Sequence, residues 1–388
     1  MSTFSRGVMA VGAVLALSGA ASAQDKKKDP KAEAALAAEF TPVYAVVDRA
    51  MSGQGGVSTQ YGVATYTVTK GAEGEAPKTE PAAPETGYAF ELRNDVLKGQ
   101  AGKIYIPFSV IVEKAKITTP RLALVSRIAP KGATGPEAAL AQAPPTATKD
   151  KKAKDKKPEP PQPPRYLWDD ALEMDLPAVG QAATTYRGVG ALSVEPGTYD
   201  LYVAIRERAA ADAADAGPVK VTVLKKEITV PDLSEFSTSS VILTDKVDVL
   251  PEPLSPERQR ENPYTLGVLK LLPSVDNKFT KTGELNMFFW IYGVALDAAK
   301  KPHVEVEYNF HQKTADGEKF FNKTDPQIMN AETLPPTFDL SAGHQLTGSL
   351  AVPLSSFPDG QYRLELKISD KISGKTITRE STFSVAAQ

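Results

Sequence analysis

The sequence has no cysteine, and only three histidines and two tryptophans among its 388 residues. Without cysteine the chain cannot form disulfides, thiol nucleophiles, Cys-ligated zinc sites or iron–sulfur clusters, and it cannot carry a lipid on a cysteine. Stability must therefore come from buried cores. A serine triad has only His303, His311 and His344 to draw on, and no Gly-x-Ser-x-Gly turn is present.

Long apolar runs are also lacking. Leu285 to Leu296 (LNMFFWIYGVAL) is too short to cross a bilayer and predicts a buried strand. Residues 1–23 place one cation, Arg6, before a short apolar run that ends in Ala21-Ser-Ala23, which is the pattern of a signal peptide cleaved after Ala23. We therefore expect a periplasmic or extracellular protein without a membrane span.

Charge of one sign does not dominate. The sequence has 45 basic and 47 acidic residues, and loss of Arg6 with the signal peptide leaves 44 against 47, a net charge of −3. A near-neutral chain lacks the electrostatic attraction on which general nucleic-acid binders depend. We therefore expect no nucleic-acid partner.

Several stretches contain few large apolar residues. Residues 24–40 form a charged, Ala-rich leader that is partly helical by composition, and 71–85 and 130–165 predict disordered insertions. Residues 149–157 (KDKKAKDKK) hold six lysines and two aspartates. This cluster is either a patch for anionic polymers or headgroups, or a solvated loop. The lack of interleaved aromatic residues favours the loop.

Elsewhere the apolar pattern has a period of two, which is typical of β-strands with one buried face. Two apolar rows are the clearest: Ile104, Ile106, Phe108, Val110 and Val112, and then Val304, Val306, Tyr308 and Phe310. In the second strand, the alternating residues His303, Glu305, Glu307, Asn309 and His311 are polar and point to the opposite face. Short strands punctuated by Pro and Gly predict an all-β, antiparallel sandwich.

An internal repeat suggests how the chain is divided. Residues 196–205 (PGTYDLYVAI) match residues 358–368 (PDGQYRLELKI), with one residue inserted in the turn. Each copy is a turn that feeds a strand, and each is followed by one more β-rich run. Tyr199 and Tyr362 occupy the same position, where a tyrosine hydroxyl caps a corner in Ig-like folds.

We therefore predict two antiparallel Ig-like β-sandwich modules in tandem. The first spans 41–230 and includes the two insertions, the second spans 231–388, and the boundary lies near Pro231. We expect the second module to fold alone.

The repeats and the sequence between them resemble a known class of regions. LSVEPGTYDLYVAIRER, KKEITVPDLSEFSTSSVILTD and SSFPDGQYRLELKISDKISGKTITRESTFSV are similar to β-sandwich regions of large bacterial exported proteins. Those regions often accompany von Willebrand factor A-like or GWxTD domains. The resemblance covers the last half of the chain and implies an envelope or secreted protein with Ig-like modules. The chain has neither a GWxTD motif nor an Asp-x-Ser-x-Ser metal site.

Ser373-Gly-Lys-Thr376 resembles the end of a phosphate-binding loop. Such a loop needs a glycine where this chain has Ser369, and a helix afterwards, whereas a strand pattern follows. We therefore predict a hairpin turn. Asp276-Asn277 and Asp316-Gly317 are ordinary turn signals rather than parts of a calcium loop.

Two further groups of residues suggest chemistry. His303 and His311 share a strand face with Glu305 and Glu307, but about eight residues of strand hold the two histidines too far apart for one metal ion. His344 shows no partner.

Trp168-Asp169-Asp170 is an acidic pair beside a large aromatic residue. There we expect the tryptophan to anchor a strand and the aspartates to face water. A catalytic carboxylate pair is the alternative.

These observations predict no catalytic, cofactor-binding or metal-binding residues. The favoured hypothesis is a non-catalytic exported protein that binds another envelope or secreted protein through its sandwich modules, with an exposed strand edge as the expected docking surface. The alternative is a carbohydrate-binding accessory protein. The sequence leaves the oligomeric state open.

Overall fold

The structure is a computed structural model that describes residues 30–53, 62–72, 75–83, 86–134, 166–177, 184–208 and 217–387. The predicted signal peptide and the lysine cluster at 149–157 lie outside these ranges. The described chain is mostly β, as predicted. None of its helices is long and apolar enough to cross a membrane.

The elements before Pro231 are α1 Pro30–Met51, β1 Gly62–Thr69, β2 Lys78–Ala82, β3 Phe90–Asn94, β4 Leu97–Lys98, β5 Ile104–Glu113, β6 Arg121–Pro130, β7 Trp168–Asp175, β8 Thr185–Val194, β9 Gly197–Glu207 and β10 Val219–Val230. Those after it are β11 Ser237–Thr238, β12 Ile242–Thr244, β13 Val247–Val249, α2 Pro256–Glu261, β14 Thr265–Leu266, β15 Leu269–Leu271, β16 Lys278–Thr280, β17 Glu284–Tyr292, β18 Val304–Thr314, β19 Gly317–Lys323, β20 Gln327–Met329, β21 Leu346–Pro353, β22 Gly360–Asp370 and β23 Thr376–Ala386.

Two sheets form the first module. Sheet 1 has the order β2-β1-β10-β9-β6-β7, and in sheet 2 the central strand β5 pairs with β3 and β4 on one side and with β8 on the other. The predicted row from Ile104 to Val112 is buried in one core with Leu122, Leu124 and Val203 of sheet 1. The two sheets therefore pack face to face through the alternation that the sequence predicted.

A helix covers the other face of sheet 1, and it corrects the predicted domain start. Helix α1 continues through Met51, so the expected module start at residue 41 falls inside it. Phe40, Val43, Val47 and Ala50 are spaced along one helix face and are buried against sheet 1. The charged leader is thus continuous with a helix that belongs to the first module.

The predicted insertion at 71–85 also needs correction. Strand β2, Lys78–Ala82, lies within it and pairs with β1 at the edge of sheet 1. Pro81 is tolerated there because an edge strand has one side free of ladder hydrogen bonds. Of the predicted insertion at 130–165, residues 135–165 lie outside the described ranges.

The second module has one four-stranded and one six-stranded sheet besides a small three-stranded sheet. In sheet 3, β17 lies between β21 and the short strands β11 and β12, and sheet 4 has the order β16-β23-β22-β18-β19, with β20 also paired to β18. One pair, β16 with β23, is parallel, so the module is not purely antiparallel. The predicted row from Val304 to Phe310 is buried in its core, and Leu285–Leu296 contributes the buried strand β17.

The sequence repeat is a structural repeat. Strands β9 and β22 each begin at the repeat glycine and each pair with a preceding strand on one side and with the next strand on the other. The Tyr199 hydroxyl donates to the Glu195 carbonyl at 3.0 Å, and the Tyr362 hydroxyl donates to the Pro358 carbonyl at 2.6 Å. Both tyrosines therefore cap their corner through the carbonyl four residues upstream, as predicted.

The two modules meet along sheet 5, which has the order β13-β15-β14. No strand pair among the described residues crosses Pro231. The hydrophobic core does cross it, because Tyr264, Leu266, Leu271 and Trp290 belong to the same buried cluster as sheet 2. Sheet 2 is thus enclosed by sheet 1 on one face and by the second module on the other.

Candidate functional site

A groove of about 880 Å³ runs along the junction of the two modules. Strand β7 forms one wall, to which Arg187 and Val189 of β8 also contribute. Helix α2 and sheet 5 form the opposite wall. Its volume lies within the range of roughly 300–1,000 Å³ that is common for ligand sites. We call this space the β7 groove.

Both strands that flank the β7 groove are sheet edges. Among the described residues, β7 pairs only with β6 and β8 only with β5. Glycines in β8 let side chains of β7 come close, since a Cβ on Gly188 would lie 2.7 Å from the Met174 sulfur and one on Gly190 would lie 3.1 Å from the Leu172 side chain. The two edges therefore lie side by side at the open side of the sandwich.

Consecutive residues of β7 border the groove. Ala171, Leu172, Glu173, Met174 and Asp175 all line it. Successive side chains of a strand point to opposite faces, so one space can touch an unbroken run of residues only along the strand's edge. The groove therefore presents the edge of sheet 1, with its backbone, to whatever enters.

Helix α2 is tied to the first module by charge and by hydrogen bonds. Its start is capped by the Ser255 hydroxyl, which accepts from the Arg258 amide, and none of its residues is buried. Arg260 lies 2.5 Å from Asp170 of β7. Burial raises the pKa of Asp170, and the Arg260 charge opposes that rise. Nearby, the Tyr105 hydroxyl donates to the Pro263 carbonyl at 3.0 Å.

A second pocket of about 430 Å³ adjoins the groove and shares Leu172 and Arg260 with it. Tyr105 and Trp168 lie in its wall together with Asp170. The Trp168 indole N–H donates to the Ser126 hydroxyl at 3.2 Å, so the ring anchors the start of β7 as predicted. Trp168 is nevertheless only half-buried.

Each aspartate beside Trp168 pairs with an arginine, which the sequence did not predict, and Asp169 is also exposed to solvent. Asp169 makes two 3.1 Å bonds to Arg127, and Asp170 pairs with Arg260 on the groove side. Arg127 is almost fully buried and also lies 2.5 Å from Asp48 of α1. Because the two carboxylates point to opposite faces of sheet 1, they do not form a converging acid–base pair.

The other candidates take structural positions. The Asp339 amide donates to His344 Nδ1 at 2.9 Å, so His344 does have a partner. His311 Nδ1 lies 3.8 Å from Glu318, and the His303 side chain is exposed. No group of three or more metal-ligating side chains occurs in the described ranges.

Ser373–Thr376 form the predicted hairpin turn between β22 and β23. Gly374 has φ of 73°, and its amide donates to the Asp370 carbonyl at 2.8 Å. The predicted turns at Asn277, with φ of 53°, and at Gly317, with φ of 113°, are present as well. None of these motifs borders the β7 groove.

A buried polar network lies across the module junction. The Tyr264 hydroxyl donates to Asp95 at 2.9 Å, and Arg187 donates to the Ser109 hydroxyl and to the Pro273 carbonyl. A cavity of about 180 Å³ is lined in part by Asp95, Ser109 and Tyr264. Burial raises the pKa of Asp95 to about 6, although Tyr264 and Arg187 oppose the rise.

The sequence did not point to the β7 groove. Its walls come from segments about 90 residues apart, and α2 is a polar six-residue helix with no apolar periodicity. The only signal was the Trp168-Asp169-Asp170 run, which falls on the correct strand. Sequence pattern alone cannot show which edge of a sheet stays unpaired.

The solved structures to which the chain is similar include two from Bacteroides uniformis. A calcium-binding mutant of beta-glucuronidase 2 shares 9% identity at a TM-score of 0.25, covering 83% of this chain and 32% of that one. A beta-glucuronidase shares 10% identity at a TM-score of 0.22, covering 77% and 32%. This chain thus spans about a third of either protein, and such low TM-scores carry no argument about fold or activity. No protein-family model matches the chain, and no curated protein matches it significantly.

Proposed function

We propose that this chain is a non-catalytic exported interaction protein, built from two tandem Ig-like β-sandwich modules, that binds another envelope or secreted protein in the β7 groove. The observation that carries the proposal is the free edge of β7 along a groove of about 880 Å³. Unpaired strand edges are recurrent docking sites for extended segments of other proteins.

The position of the groove supports a binding role. It lies between two modules that share one hydrophobic cluster, so its walls are held by packed side chains. The half-buried apolar residues Leu172, Val189 and Leu272 supply surface for burial, and exposed charges lie at its rim. This division into an apolar centre and a polar rim is usual in protein interfaces.

The arrangement of charged residues favours binding over catalysis. Asp169 and Asp170 are separated by the sheet and each faces an arginine. The three histidines lie in the second module, and none of them lines the groove. Export and Ig-like architecture are supported by the signal-peptide pattern of residues 1–23 and by the tyrosine corners of the two repeats.

Site-specific photocrosslinking in the producing cells tests the proposal. Leu172 is replaced by p-benzoylphenylalanine, and Thr378 on the exposed face of β23 is replaced in a control protein. We expect irradiation to give one discrete crosslinked protein from position 172 and none from position 378. Equal crosslinking from both positions, or none from position 172 in cells that make the full chain, would contradict a groove-bound partner.

A second candidate function is carbohydrate binding in the smaller pocket. The observation that favours it is the pairing of Trp168 and Tyr105 with Asp170 and Arg260, since sugar sites combine aromatic faces with polar hydrogen-bonding groups. Titration with an oligosaccharide panel, followed by tryptophan fluorescence, tests it. Saturable quenching that disappears in Trp168→Leu but persists in Trp290→Leu is expected, because Trp290 is buried elsewhere.

A further inference from the structure

We propose that the partner enters the β7 groove as an extended strand, pairs with the edge of β7 and carries basic side chains toward α2. This inference rests on the proposed function and specifies the partner's backbone conformation and charge. It follows from the direction of backbone groups in β7, from the lack of edge protection there, and from the charges of the groove.

The hydrogen-bonding register shows which backbone groups of β7 point outward. The Leu176 amide donates at 2.8 Å to the carbonyl of Pro120, which directly precedes β6, whereas the Arg121 carbonyl of β6 accepts from the Arg208 amide on the opposite side. Backbone direction alternates along antiparallel strands. Even-numbered residues of β7 therefore bond to β6, and Glu173 and Asp175 direct their N–H and C=O groups into the groove.

Ala171 shares this outward direction. Its amide donates a hydrogen bond to the Asp170 carboxylate, the same group that pairs with Arg260. The ion pair thus occupies one end of the edge, while no described backbone group pairs with the outward side at Glu173 or Asp175. The next outward carbonyl, that of Pro177, accepts from the Arg187 amide of β8 at 3.3 Å, so a strand that docks along Glu173 and Asp175 would extend sheet 1 as far as that bond.

Edge strands elsewhere in the protein carry features that discourage pairing. Strand β2 has Lys78 and Pro81, and β19 has Lys319 and Lys323 and meets β18 through a register shift. Lysine, proline and bulges are the usual protections of an exposed edge. Strand β7 has no lysine, proline or bulge and pairs with β6 in unbroken register along its whole length, and the charged side chains on it, which discourage pairing with an acidic strand, are all acidic. Its edge is therefore suited to accept a strand.

The groove charges favour a basic partner. Glu257 and Glu261 lie one turn apart on α2, are exposed and make no ion pair with a described residue. By contrast, Arg208 pairs with Glu39 and Glu173, and Arg260 with Asp170. Asp175 is exposed at the rim and lies 3.3 Å from Arg121. Of the remaining cations, Arg187 is buried and Lys270 donates to the Asn262 side chain.

Fluorescence anisotropy with the full-length chain tests the inference. The probes are two fluorescein-labelled decapeptides, one alternating valine with lysine and one alternating valine with glutamate. We expect the lysine peptide to bind about tenfold more tightly than the glutamate peptide. Glu257→Gln combined with Glu261→Gln should lower the affinity for the lysine peptide about threefold or more. Equal affinity for both peptides would overturn the basic partner.

A matched pair of variants tests strand pairing. Glu173→Pro removes an outward N–H, whereas Glu173→Gln removes the same charge and keeps the N–H. We expect Glu173→Pro to bind the lysine peptide about tenfold more weakly than Glu173→Gln. Asp175→Pro against Asp175→Asn repeats the comparison if the first proline variant does not fold. If a proline variant and its matched amide variant bind the lysine peptide equally tightly, strand addition is overturned.

Two other outcomes separate this inference from the proposed function. If neither peptide binds but position 172 still crosslinks one partner in cells, the proposed function stands and this inference fails. If light scattering shows a dimer that Glu173→Pro abolishes and Glu173→Gln preserves, the occupant is a second copy of this chain, and the basic partner proposed above is overturned.

Discussion

Arg260 of α2 places its guanidinium 2.5 Å from the carboxylate of Asp170 in β7, so an ion pair connects the second module to the edge of the first. Leu172 and Arg260 line both the β7 groove and the smaller pocket beside it. The pair therefore stands at the division between the two spaces.

Arg260→Gln should loosen α2. The helix has no buried residue, so few contacts replace the lost ion pair. Because Arg260 is largely exposed, we expect unfolding stability to fall by less than about 1 kcal/mol, while amide hydrogen exchange of α2 rises by about threefold or more. Arg258→Gln is the control, because Arg258 makes no ion pair with a described residue. The same rise in both variants would show that the Asp170 contact does not hold the helix.

Asp95→Asn should stabilise the protein above neutral pH. Burial raises the pKa of Asp95 from 3.8 to about 6 in the folded state. The folded state therefore binds a proton more tightly than the unfolded state, and Asp95 lowers stability as pH rises from about 4 to 6. Above that range the charged Asp95 lowers the free energy of unfolding by about 3 kcal/mol. The charged groups that face it are Arg93 and Arg187, with the Tyr264 hydroxyl donating to it.

Urea unfolding from pH 4.5 to 8 measures this effect. The wild-type chain should lose stability as pH rises relative to Asp95→Asn, and the two curves should approach each other at the acidic end. Asp316→Asn is the control, since that side chain is 84% exposed. A constant difference between wild type and Asp95→Asn at every pH would show that Asp95 does not titrate in this range.

Tyr362→Phe should destabilise the second module by about 1 kcal/mol, because it removes a 2.6 Å hydrogen bond and leaves the Pro358 carbonyl without it. Tyr199→Phe should lower stability less, because the hydrogen bond from the Tyr199 hydroxyl to the Glu195 carbonyl is longer and exposed to solvent. Tyr186→Phe serves as the control, because no described residue bonds that hydroxyl. Chemical denaturation measures all three, and equal stability of Tyr362→Phe and Tyr186→Phe would contradict a stabilising corner.

Residues 231–388 expressed alone should fold but melt at a lower temperature than the full chain. Their strands pair with one another, yet Leu266 and Leu271 lose their cover on sheet 2. Circular dichroism should show one cooperative transition. Leu266→Ser with Leu271→Ser should improve solubility of the fragment and destabilise the full chain. A fragment without cooperative melting would place the folding boundary elsewhere.

Much of the second module was predictable from local pattern. The row from Val304 to Phe310 has one polar residue between each buried pair, so period two alone identifies β18 and its buried face. The repeat placed β9 and β22 and their tyrosine corners correctly, because a turn and the strand after it are encoded within about ten residues. Helix α1 was missed beyond residue 40, since Pro42 interrupts the helical pattern.

The sequence by itself determined the strands β5, β9, β18 and β22, the buried faces of β5 and β18, and that no thiol or disulfide contributes to the protein. Only the tertiary structure decided that β7 is an edge, that Asp169 and Asp170 face opposite arginines, and that α2 borders the β7 groove. The physical reason is range. Side-chain alternation and turn geometry act between near neighbours, whereas strand order and the facing of Asp170 by Arg260 depend on how distant segments pack.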